Sequence, residues 1–399
     1  MESMVRKAIK RVQSMREEPS RPRDDFEKDQ SVKEMVREAI KDPKKKKHKG
    51  LIENQEDLQK MLELSRAKIR VVGVGGGGSN TVQRMHEIGI AGTETIAVNT
   101  DAQDLLNTEA DKRILIGRET TRGLGSGSDP SVGEASAKES VEELTELLGD
   151  SDLLFITCGL GGGTGTGASP VIAEIGKEMK CLTIAIVTLP FTVEGKRRTE
   201  NALEGLAKLR EHTDTVIVIP NDKILEIAPD LPVNAAFKVA DEVLTNAVKG
   251  ITEMVTKPGL INLDFADLRT ILRKGGAAMI GLGESHSEEA SDARALEAVE
   301  NALTSPLLDV DISHAKRALV NVVGGADMTL REAEMIVETV SSKIDADAHI
   351  IWGAMVDSQL PKNRIQAMVV VAGGRFPYLD DLEKVQTEKG LDLGIRFTG

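Results

Sequence analysis

A nine-residue loop, Gly159–Gly167, contains six glycines and two threonines. An apolar run, Leu153–Thr157, precedes it, and a helical pattern over Ala168–Met179 follows it. Glycines let the backbone approach an anion closely, and the free N–H groups at the start of the following helix point towards the ligand. A plain turn between a strand and a helix needs far fewer glycines, so this pattern favours a phosphate-binding loop.

Two further glycine-rich stretches follow predicted strands, at Gly73–Gly78 and Thr121–Gly127. The first fits the Gly-x-Gly-x-x-Gly fingerprint of dinucleotide-binding proteins, and Asp101 follows at about the distance at which those proteins place a ribose-binding carboxylate. An oxidoreductase that depends on NAD or FAD is therefore one hypothesis. Against it, a single pyrophosphate does not require three glycine loops, and no His-Asp or Tyr-Lys pair stands out as a hydride-transfer site.

The sequence lacks the Walker motif, Gly-x-x-x-x-Gly-Lys-Ser/Thr, whose lysine helps to neutralise phosphate charge. Three glycine loops without that lysine favour a mononucleotide with a triphosphate, held by backbone N–H groups and a metal ion. A scaffold that binds nucleotide without turnover is the third hypothesis.

The glycine loops require strands and helices to position them, and the sequence alternates between the two from Lys68 onward. Several of the strand-like runs are apolar on both faces, which is typical of a parallel sheet covered by helices on each side. The alternation predicts a doubly wound α/β domain with a parallel sheet. Its predicted strands are Lys68–Val74, Thr95–Asn99, Arg113–Ile116, Leu153–Thr157, Leu182–Thr188 and Thr215–Ile219.

A long central helix and a second domain are predicted next. Apolar residues recur with helical spacing over Pro232–Thr256, and Lys257-Pro258-Gly259 ends this pattern. Only a loop separates the last two predicted strands of the C-terminal α+β domain, so its sheet is expected to be antiparallel or mixed. The strands of this domain are predicted at Ala277–Leu282, Ala318–Val323, Ala348–Val356 and Ile365–Ala372, and its helices at Glu288–Ala302 and Leu330–Lys343.

The composition restricts the class of protein. The net charge is −13, which argues against binding nucleic acid through an overall positive field. No apolar run reaches the roughly 18 residues of a spanning helix, so the protein is expected in the cytoplasm. The two cysteines, Cys158 and Cys181, lie in apolar runs and are expected to be reduced core residues. Because Cys158 directly precedes the glycine loop, nucleotide binding is expected to be sensitive to thiol reagents.

Residues 1–66 differ from the rest of the chain because they are polar and rich in charge. A short repeat, Met4–Lys10 and Met35–Lys41, has two interpretations: a pair of amphipathic docking helices, or a chance match in a flexible extension. The second is favoured because the repeat is short. A helix over Glu53–Ala67 is predicted to connect this extension to the body, and Tyr378–Gly399 is predicted to be a loose tail.

Several motifs in the right order resemble the tubulin/FtsZ family, and within it the FtsZ branch of prokaryotic cell-division GTPases. Residues Gly161–Gly167 are identical to the family signature. The resemblance runs from about residue 68 to 375, and the charged N-terminal arm and the ending Gly-Ile-Arg-Phe resemble the archaeal type. The other matching motifs are Gly75–Asn80, Asn99–Asp101, Thr121–Gly133, Pro190–Arg198, Asn221–Lys223 and Asn262–Asp267.

The resemblance implies a GTP-hydrolysing protein that polymerises head to tail and forms a contractile or scaffold ring at the mid-cell division site. It divides the chain into an N-terminal extension (1–66), a GTPase domain (67–231), a central helix (232–257), an activation domain (258–375) and a tail (376–399). The implied ligands are GTP or GDP, with Mg²⁺ held mainly by phosphate oxygens and water rather than by protein ligands. The implied partners are further copies of the chain and a membrane-anchoring division protein that binds the tail at Leu391–Phe397, without nucleic acid and without a membrane span.

The resemblance also assigns the nucleotide contacts. A carboxylate accepts from both the N1–H and the amino group of guanine, so Asp241 is the expected reader of the base, assisted by Asn80. Phe237, one helical turn earlier, either stacks on the base or packs in the core. Glu194 and Arg198 form an i, i+4 pair or reach the ribose and phosphates, and the resemblance favours the second interpretation. The other predicted contacts are Gly75, Gly76, Gly77, Gly78, Ser79, Gly162, Gly163, Thr164, Gly165, Thr166 and Asn221.

Asn262, Asp264 and Asp267 are the catalytic residues that the resemblance implies. Hydrolysis needs a water aligned with the γ-phosphorus and polarising groups beside it. The two aspartates lie one helical turn apart, although one of them could instead cap the next helix. Because a helix of roughly 37 Å separates these residues from the glycine loops, a head-to-tail neighbour is expected to supply them to the GTP site.

Overall fold

The structure, a computed structural model, describes residues 67–373 except 91, 228–229, 231, 258, 274, 286–291 and 309–310. The strands in these residues are β1 (Ile69–Val74), β2 (Thr93–Asn99), β3 (Lys112–Leu115), β4 (Leu153–Gly159), β5 (Leu182–Leu189), β6 (Thr215–Pro220), β7 (Gly276–Glu284), β8 (Arg317–Gly324), β9 (His349–Val356) and β10 (Ile365–Ala372). The helices are α1 (Gly75–Ile88), α2 (Ala102–Asn107), α3 (Pro130–Glu139), α4 (Val141–Leu148), α5 (Thr164–Glu178), α6 (Lys196–His212), α7 (Asn221–Ile227), α8 (Val233–Thr256), α9 (Phe265–Leu272), α10 (Asp292–Leu303) and α11 (Leu330–Ser341). The predicted alternation of strands and helices is confirmed.

The strands form one continuous sheet in the order β3-β2-β1-β4-β5-β6-β7-β10-β8-β9 within the described residues. Strands β1 to β6 are parallel, so their carboxyl ends lie at the same edge. Strand β10 is antiparallel to both of its neighbours, whereas β8 and β9 are parallel to each other. The predicted fold class, a doubly wound parallel domain followed by a domain with a mixed sheet, is confirmed.

The last two strands, which are adjacent in the sequence, are not neighbours in the sheet. Although β9 and β10 follow each other along the chain, β10 lies between β7 and β8 and β9 is the outer strand. The sheets of the two domains are also continuous, because Thr215–Ile217 of β6 pairs with Gly276–Ala278 of β7. Pairing between distant strands is not visible in the period of an apolar run, which reports only that a strand is buried.

Two apolar clusters cover the two faces of the sheet. Along β1, Val72 and Val74 belong to one cluster and Ile69 and Val71 to the other, as the two-residue period of a strand requires. Helix α5 packs in the first cluster, and α8 packs in the second through its predicted apolar stripe. The sheet is therefore covered on both faces, and the two helices lie on opposite sides of it.

Helices α1 and α5 begin almost directly after β1 and β4, at the edge that carries the glycine loops. Gly75, the first residue of α1, has a φ of 69°, and a Cβ there would lie 2.8 Å from the backbone nitrogen of Gly165. Only glycine allows both this conformation and this approach of the two loops. Helix α5 begins at Thr164, before the helical pattern predicted from Ala168, so its N-terminus lies within the glycine loop.

Four predictions concern, wholly or in part, residues that the structure does not describe. The N-terminal repeat and the C-terminal tail lie outside the described residues, as does the helix predicted over Glu53–Ala67 except for Ala67 itself. The first part of the helix predicted at Glu288–Ala302 lies there too, and the described part begins at Asp292.

Candidate nucleotide-binding site

A cavity of about 460 Å³ lies at the carboxyl ends of the parallel strands, where the glycine loops meet. This edge is the usual ligand position in doubly wound folds, and the volume is within the range of small-molecule sites. The structure brings most of the predicted nucleotide contacts together around this cavity. They are Gly76, Gly77, Asn80, Gly162, Gly163, Thr164, Gly165, Glu194, Arg198, Asn221, Phe237 and Asp241.

Four predicted contacts lie behind the cavity wall. Thr166 is buried, and its hydroxyl accepts the N–H of Gly161 at 2.8 Å. Ser79 is also buried, with its hydroxyl 3.4 Å from the amide nitrogen of Asn99. Gly75 and Gly78 pack against neighbouring backbone, and a Cβ at Gly78 would lie 2.5 Å from the carbonyl oxygen of Thr157. In this structure these four residues shape the loops rather than line the cavity.

Two serines that the sequence analysis did not assign line the cavity. Ser126 and Ser128 belong to the third glycine stretch and the motif that follows it. The glycines of that stretch predict a loop, but only the fold brings this loop against the start of α5. A Cβ at Gly163 would lie 2.2 Å from the Ser126 hydroxyl oxygen, so the two loops are in direct contact.

Asp241 lies at the end of the cavity formed by α8. Burial raises the pKa of its carboxyl group to about 7. The hydroxyl of Thr81 donates a hydrogen bond of 3.4 Å to this carboxylate, which lowers the pKa and offsets part of the effect of burial. A half-buried carboxylate of this kind is costly to ionise unless a ligand donates hydrogen bonds to it. Asn80 lines the same cavity.

Phe237 has features of both proposed roles, stacking on the base and packing in the core. Its ring lines the cavity and is 40% exposed, which is unusual for a core residue. The ring also meets Phe191 edge to face, with 5.1 Å between centroids. Phe191 is buried, so it holds the Phe237 ring from one side while part of that ring stays exposed at the cavity.

Glu194 and Arg198 form the i, i+4 ion pair that the sequence allows, and both side chains also line the cavity. Glu194 accepts the N–H of Phe191 at 2.8 Å, which fixes the turn before α6. Asn221 lies nearby and is buried, and its Oδ1 atom has no hydrogen-bond partner in the described part of the chain. A buried acceptor without a partner is rare.

Asn262, Asp264 and Asp267 are exposed and do not line the cavity. Asp264 caps α9 by accepting the N–H of Asp267 at 2.8 Å, which confirms the capping interpretation for this residue. Asn262 accepts the N–H of Gly259 at 2.5 Å. All three follow the C-terminal end of α8, whereas the cavity meets the N-terminal half of this helix, whose 24 residues span roughly 36 Å.

Asp101, the ribose-binding candidate of the oxidoreductase hypothesis, caps α2 instead. Its carboxylate accepts the N–H groups of Gln103 and Asp104 at 2.9 and 3.1 Å. Neither a group of three metal-ligating side chains nor a helix long and apolar enough to cross a membrane occurs among the residues that the structure describes.

Comparison with known proteins identifies the family. The model of the tubulin/FtsZ GTPase domain matches residues 68–229, and the model of the FtsZ C-terminal domain matches residues 276–375. Cell division protein FtsZ 1 of Thermococcus kodakarensis is 59% identical over 323 residues, which is 81% of this chain and 85% of that protein. The chain belongs to the FtsZ family. The resemblance stated from the motifs is thereby confirmed, and the oxidoreductase hypothesis loses its support.

A second relative and a solved structure agree with this assignment, and a more distant structure shares the fold. Cell division protein FtsZ 1 of Archaeoglobus fulgidus is 54% identical over 353 residues, covering 87% of this chain and 95% of that protein. Among solved structures, the empty FtsZ dimer of M. jannaschii has a TM-score of 0.76 at 56% identity and covers 81% of this chain and 93% of that one. CetZ2 from Haloferax volcanii, in a GTPγS-bound protofilament, shares the fold at 22% identity and a TM-score of 0.70 over 80% of this chain and 98% of that one.

Proposed function

We propose that this chain binds GTP in the cavity at the glycine loops and hydrolyses it within head-to-tail filaments at the division site. Membership of a GTPase family supports the general reaction. The observation that carries the finer proposal is the separation of the cavity from Asn262, Asp264 and Asp267 by the length of α8.

The cavity suits a guanine nucleotide at both of its ends. Thr164, Gly162 and Gly163 lie at the start of α5, where free N–H groups and the positive helix end stabilise phosphate. At the other end, the ionised carboxylate of Asp241 would accept from guanine N1–H and the amino group, which offsets the cost of its burial. Phe237 presents exposed ring surface for stacking, and Asn221 lines the same cavity beside it.

Mg²⁺ would be held mainly by the phosphates and water. Mg²⁺ commonly keeps several waters and binds substrate phosphates with few protein ligands, so a site without a protein cage suits it. When bound, it would neutralise charge on the β- and γ-phosphates. The remaining phosphate charge would be stabilised by backbone N–H groups of the protein, those of Gly76, Gly77 and Gly162–Gly165.

A second copy of the chain would complete the active site. One copy cannot bring Asp264 and Asp267 to its own cavity without breaking the packing of α8 against the sheet. A neighbour stacked head to tail would present its own exposed Asn262, Asp264 and Asp267 to this cavity, where they would orient and polarise the attacking water. Such a contact does not close on itself and therefore builds a filament. A relative from M. jannaschii is known as an FtsZ dimer.

The domain boundaries and the membrane attachment are proposed from the resemblance to FtsZ. Residues 67–231 would form the GTPase domain, 232–257 the central helix and 258–375 the activation domain, with 1–66 as an extension and 376–399 as a tail. The filament would form a ring at mid-cell, held to the membrane by an anchoring protein that binds Leu391–Phe397. Cell division is the process named for the archaeal relatives.

Sedimentation and turnover measured together test this function. Purified protein should release GDP or GTP on denaturation, sediment with GTP but not with GDP, and hydrolyse GTP with a specific activity that rises with protein concentration. Extracted NAD or FAD in place of guanine nucleotide would contradict GTP binding. A specific activity that stays constant through the assembly range would show that each copy hydrolyses GTP alone.

A further inference from the structure

Three hydroxyl groups meet where the glycine loops converge. The Oγ1 atom of Thr164 lies 2.6 Å from Oγ1 of Thr100 and 2.9 Å from Oγ of Ser126. Thr100 follows β2, Ser126 lies in the third glycine stretch, and Thr164 is the first residue of α5. All three are buried, and Thr164 and Ser126 line the cavity. Three separate loops therefore hold one hydroxyl cluster beside the place proposed for the phosphates.

The number of protons and lone pairs in this cluster restricts its arrangement. A threonine hydroxyl has one proton to donate and two lone pairs to accept. When Thr164 accepts from Thr100 and from Ser126, both lone pairs are occupied and its proton is free for a third partner. Neither of the other two hydroxyls is seen to donate elsewhere among the described residues. Thr164 also lines the cavity, so a ligand there can receive this proton.

We propose that Thr100 and Ser126 are positioning residues that turn the Thr164 proton towards a phosphate of the bound nucleotide. The inference rests on the proposed function, because it needs the phosphates to lie at the glycine loops. A hydroxyl that is already oriented loses less rotational freedom on binding than a free one, so it binds an anion more tightly. Hydrogen bonds to charged groups are also among the stronger ones.

The tight packing at Gly163 supports this role for Ser126. A Cβ at Gly163 would lie 2.2 Å from Oγ of Ser126 and 2.8 Å from the backbone nitrogen of Asp129. The absence of a side chain at Gly163 lets the Ser126 loop approach α5 closely enough to reach Thr164. On the other side, the backbone of Thr100 is fixed, since its N–H donates to Asn99 Oδ1 at 2.8 Å.

A double-mutant cycle measures the proposed coupling. GDP binding is titrated by calorimetry in metal-free buffer for the wild type, S126A, T164V and the double variant, and guanosine serves as a ligand without phosphates. T164V should weaken GDP binding about 10- to 100-fold, as expected for a lost bond to a charged group, and S126A about threefold. In the T164V background, S126A should have no further effect, because Ser126 acts only through the Thr164 hydroxyl.

Controls separate positioning from folding. Ser131 is an exposed serine whose hydroxyl donates to Asp129, outside the cavity, so S131A should bind GDP as the wild type does. T100V should resemble S126A, whereas T100S keeps the hydroxyl and should restore binding. Guanosine affinity should be the same in all these variants.

The outcomes that overturn the inference differ from those that overturn the function. Additive losses in the double variant, an unchanged GDP affinity in S126A, or equal losses for guanosine and GDP would show that Ser126 does not orient Thr164. A wild-type protein that binds no guanine nucleotide would contradict the proposed function and, with it, this inference.

Discussion

The affinity for GDP should depend on pH through Asp241. Burial raises the pKa of this carboxyl group to about 7 in the free protein, whereas guanine requires the ionised form as an acceptor for two N–H donors. Protonation therefore competes with binding, and the apparent Kd scales with the ratio of total to ionised Asp241. Between pH 8 and pH 6 the ionised fraction falls from about 0.9 to about 0.1, so the Kd should rise about tenfold.

Three proteins are compared by titration with GDP at pH 6, 7 and 8. The terminal phosphate also titrates near pH 6, so the wild type must be compared with D241N, which keeps only that contribution. D241N should bind at least about 30-fold more weakly at pH 8, because a bond to a charged acceptor is lost and an amide donor faces a donor. Glu242 is the exposed neighbour of Asp241 on the same helix, so E242Q should keep the pH dependence of the wild type.

A wild-type Kd that changes no more than that of D241N between pH 8 and pH 6 would refute this reasoning. It would mean either that Asp241 remains ionised despite its burial or that it does not contact the base. Loss of the pH dependence in E242Q would place the titrating group elsewhere on the helix.

Three further predictions follow from the positions of single residues and of the tail. D267A should lose GTP turnover at least about 100-fold while its GDP affinity stays unchanged, since Asp267 lies outside the cavity; wild-type turnover in this variant would exclude it from catalysis. Cys158 is fully buried and its burial raises the pKa of the thiol to about 12, so the folded protein should bind GDP equally well after an hour with Ellman's reagent; rapid modification with loss of binding would contradict this. Deletion of Leu391–Phe397 should leave GTP turnover unchanged and abolish binding to the membrane-anchoring protein, and retained binding would place the docking segment elsewhere.

The strands and the glycine loops at the cavity could be predicted from the sequence because each depends on a short local pattern of residues. An apolar run such as Leu153–Thr157 followed by glycines has few alternatives to a buried strand and a loop. The same holds for α8, whose apolar stripe spans the whole helix. By contrast, the position of β10 between β7 and β8 depends on pairing between distant segments, which leaves no local pattern.

In the candidate site too, local features could be predicted, whereas contacts between distant segments could not. Thr164 is recognisable beside its glycines, but one of the hydroxyls that contact it comes from Ser126, 38 residues earlier in a loop whose serines had no predicted contact. Thr166 has the same residue type and the same surroundings in sequence, yet its hydroxyl is used to hold Gly161. The direction of each side chain is set by the start of α5 at Thr164, whereas the helical pattern in the sequence begins only at Ala168. The thiol sensitivity expected for Cys158 likewise conflicts with its complete burial, which only the fold reveals.

Mixing two inactive variants tests most directly whether one copy completes the site of the next. D241A should lack a usable GTP site but keep Asp267, and D267A should keep its GTP site but lack this aspartate. In an equal mixture, about a quarter of head-to-tail contacts would join an intact cavity to an intact Asp267. Turnover should return in the mixture, up to about a quarter of the wild-type rate. A mixture no more active than the sum of its two components would contradict it.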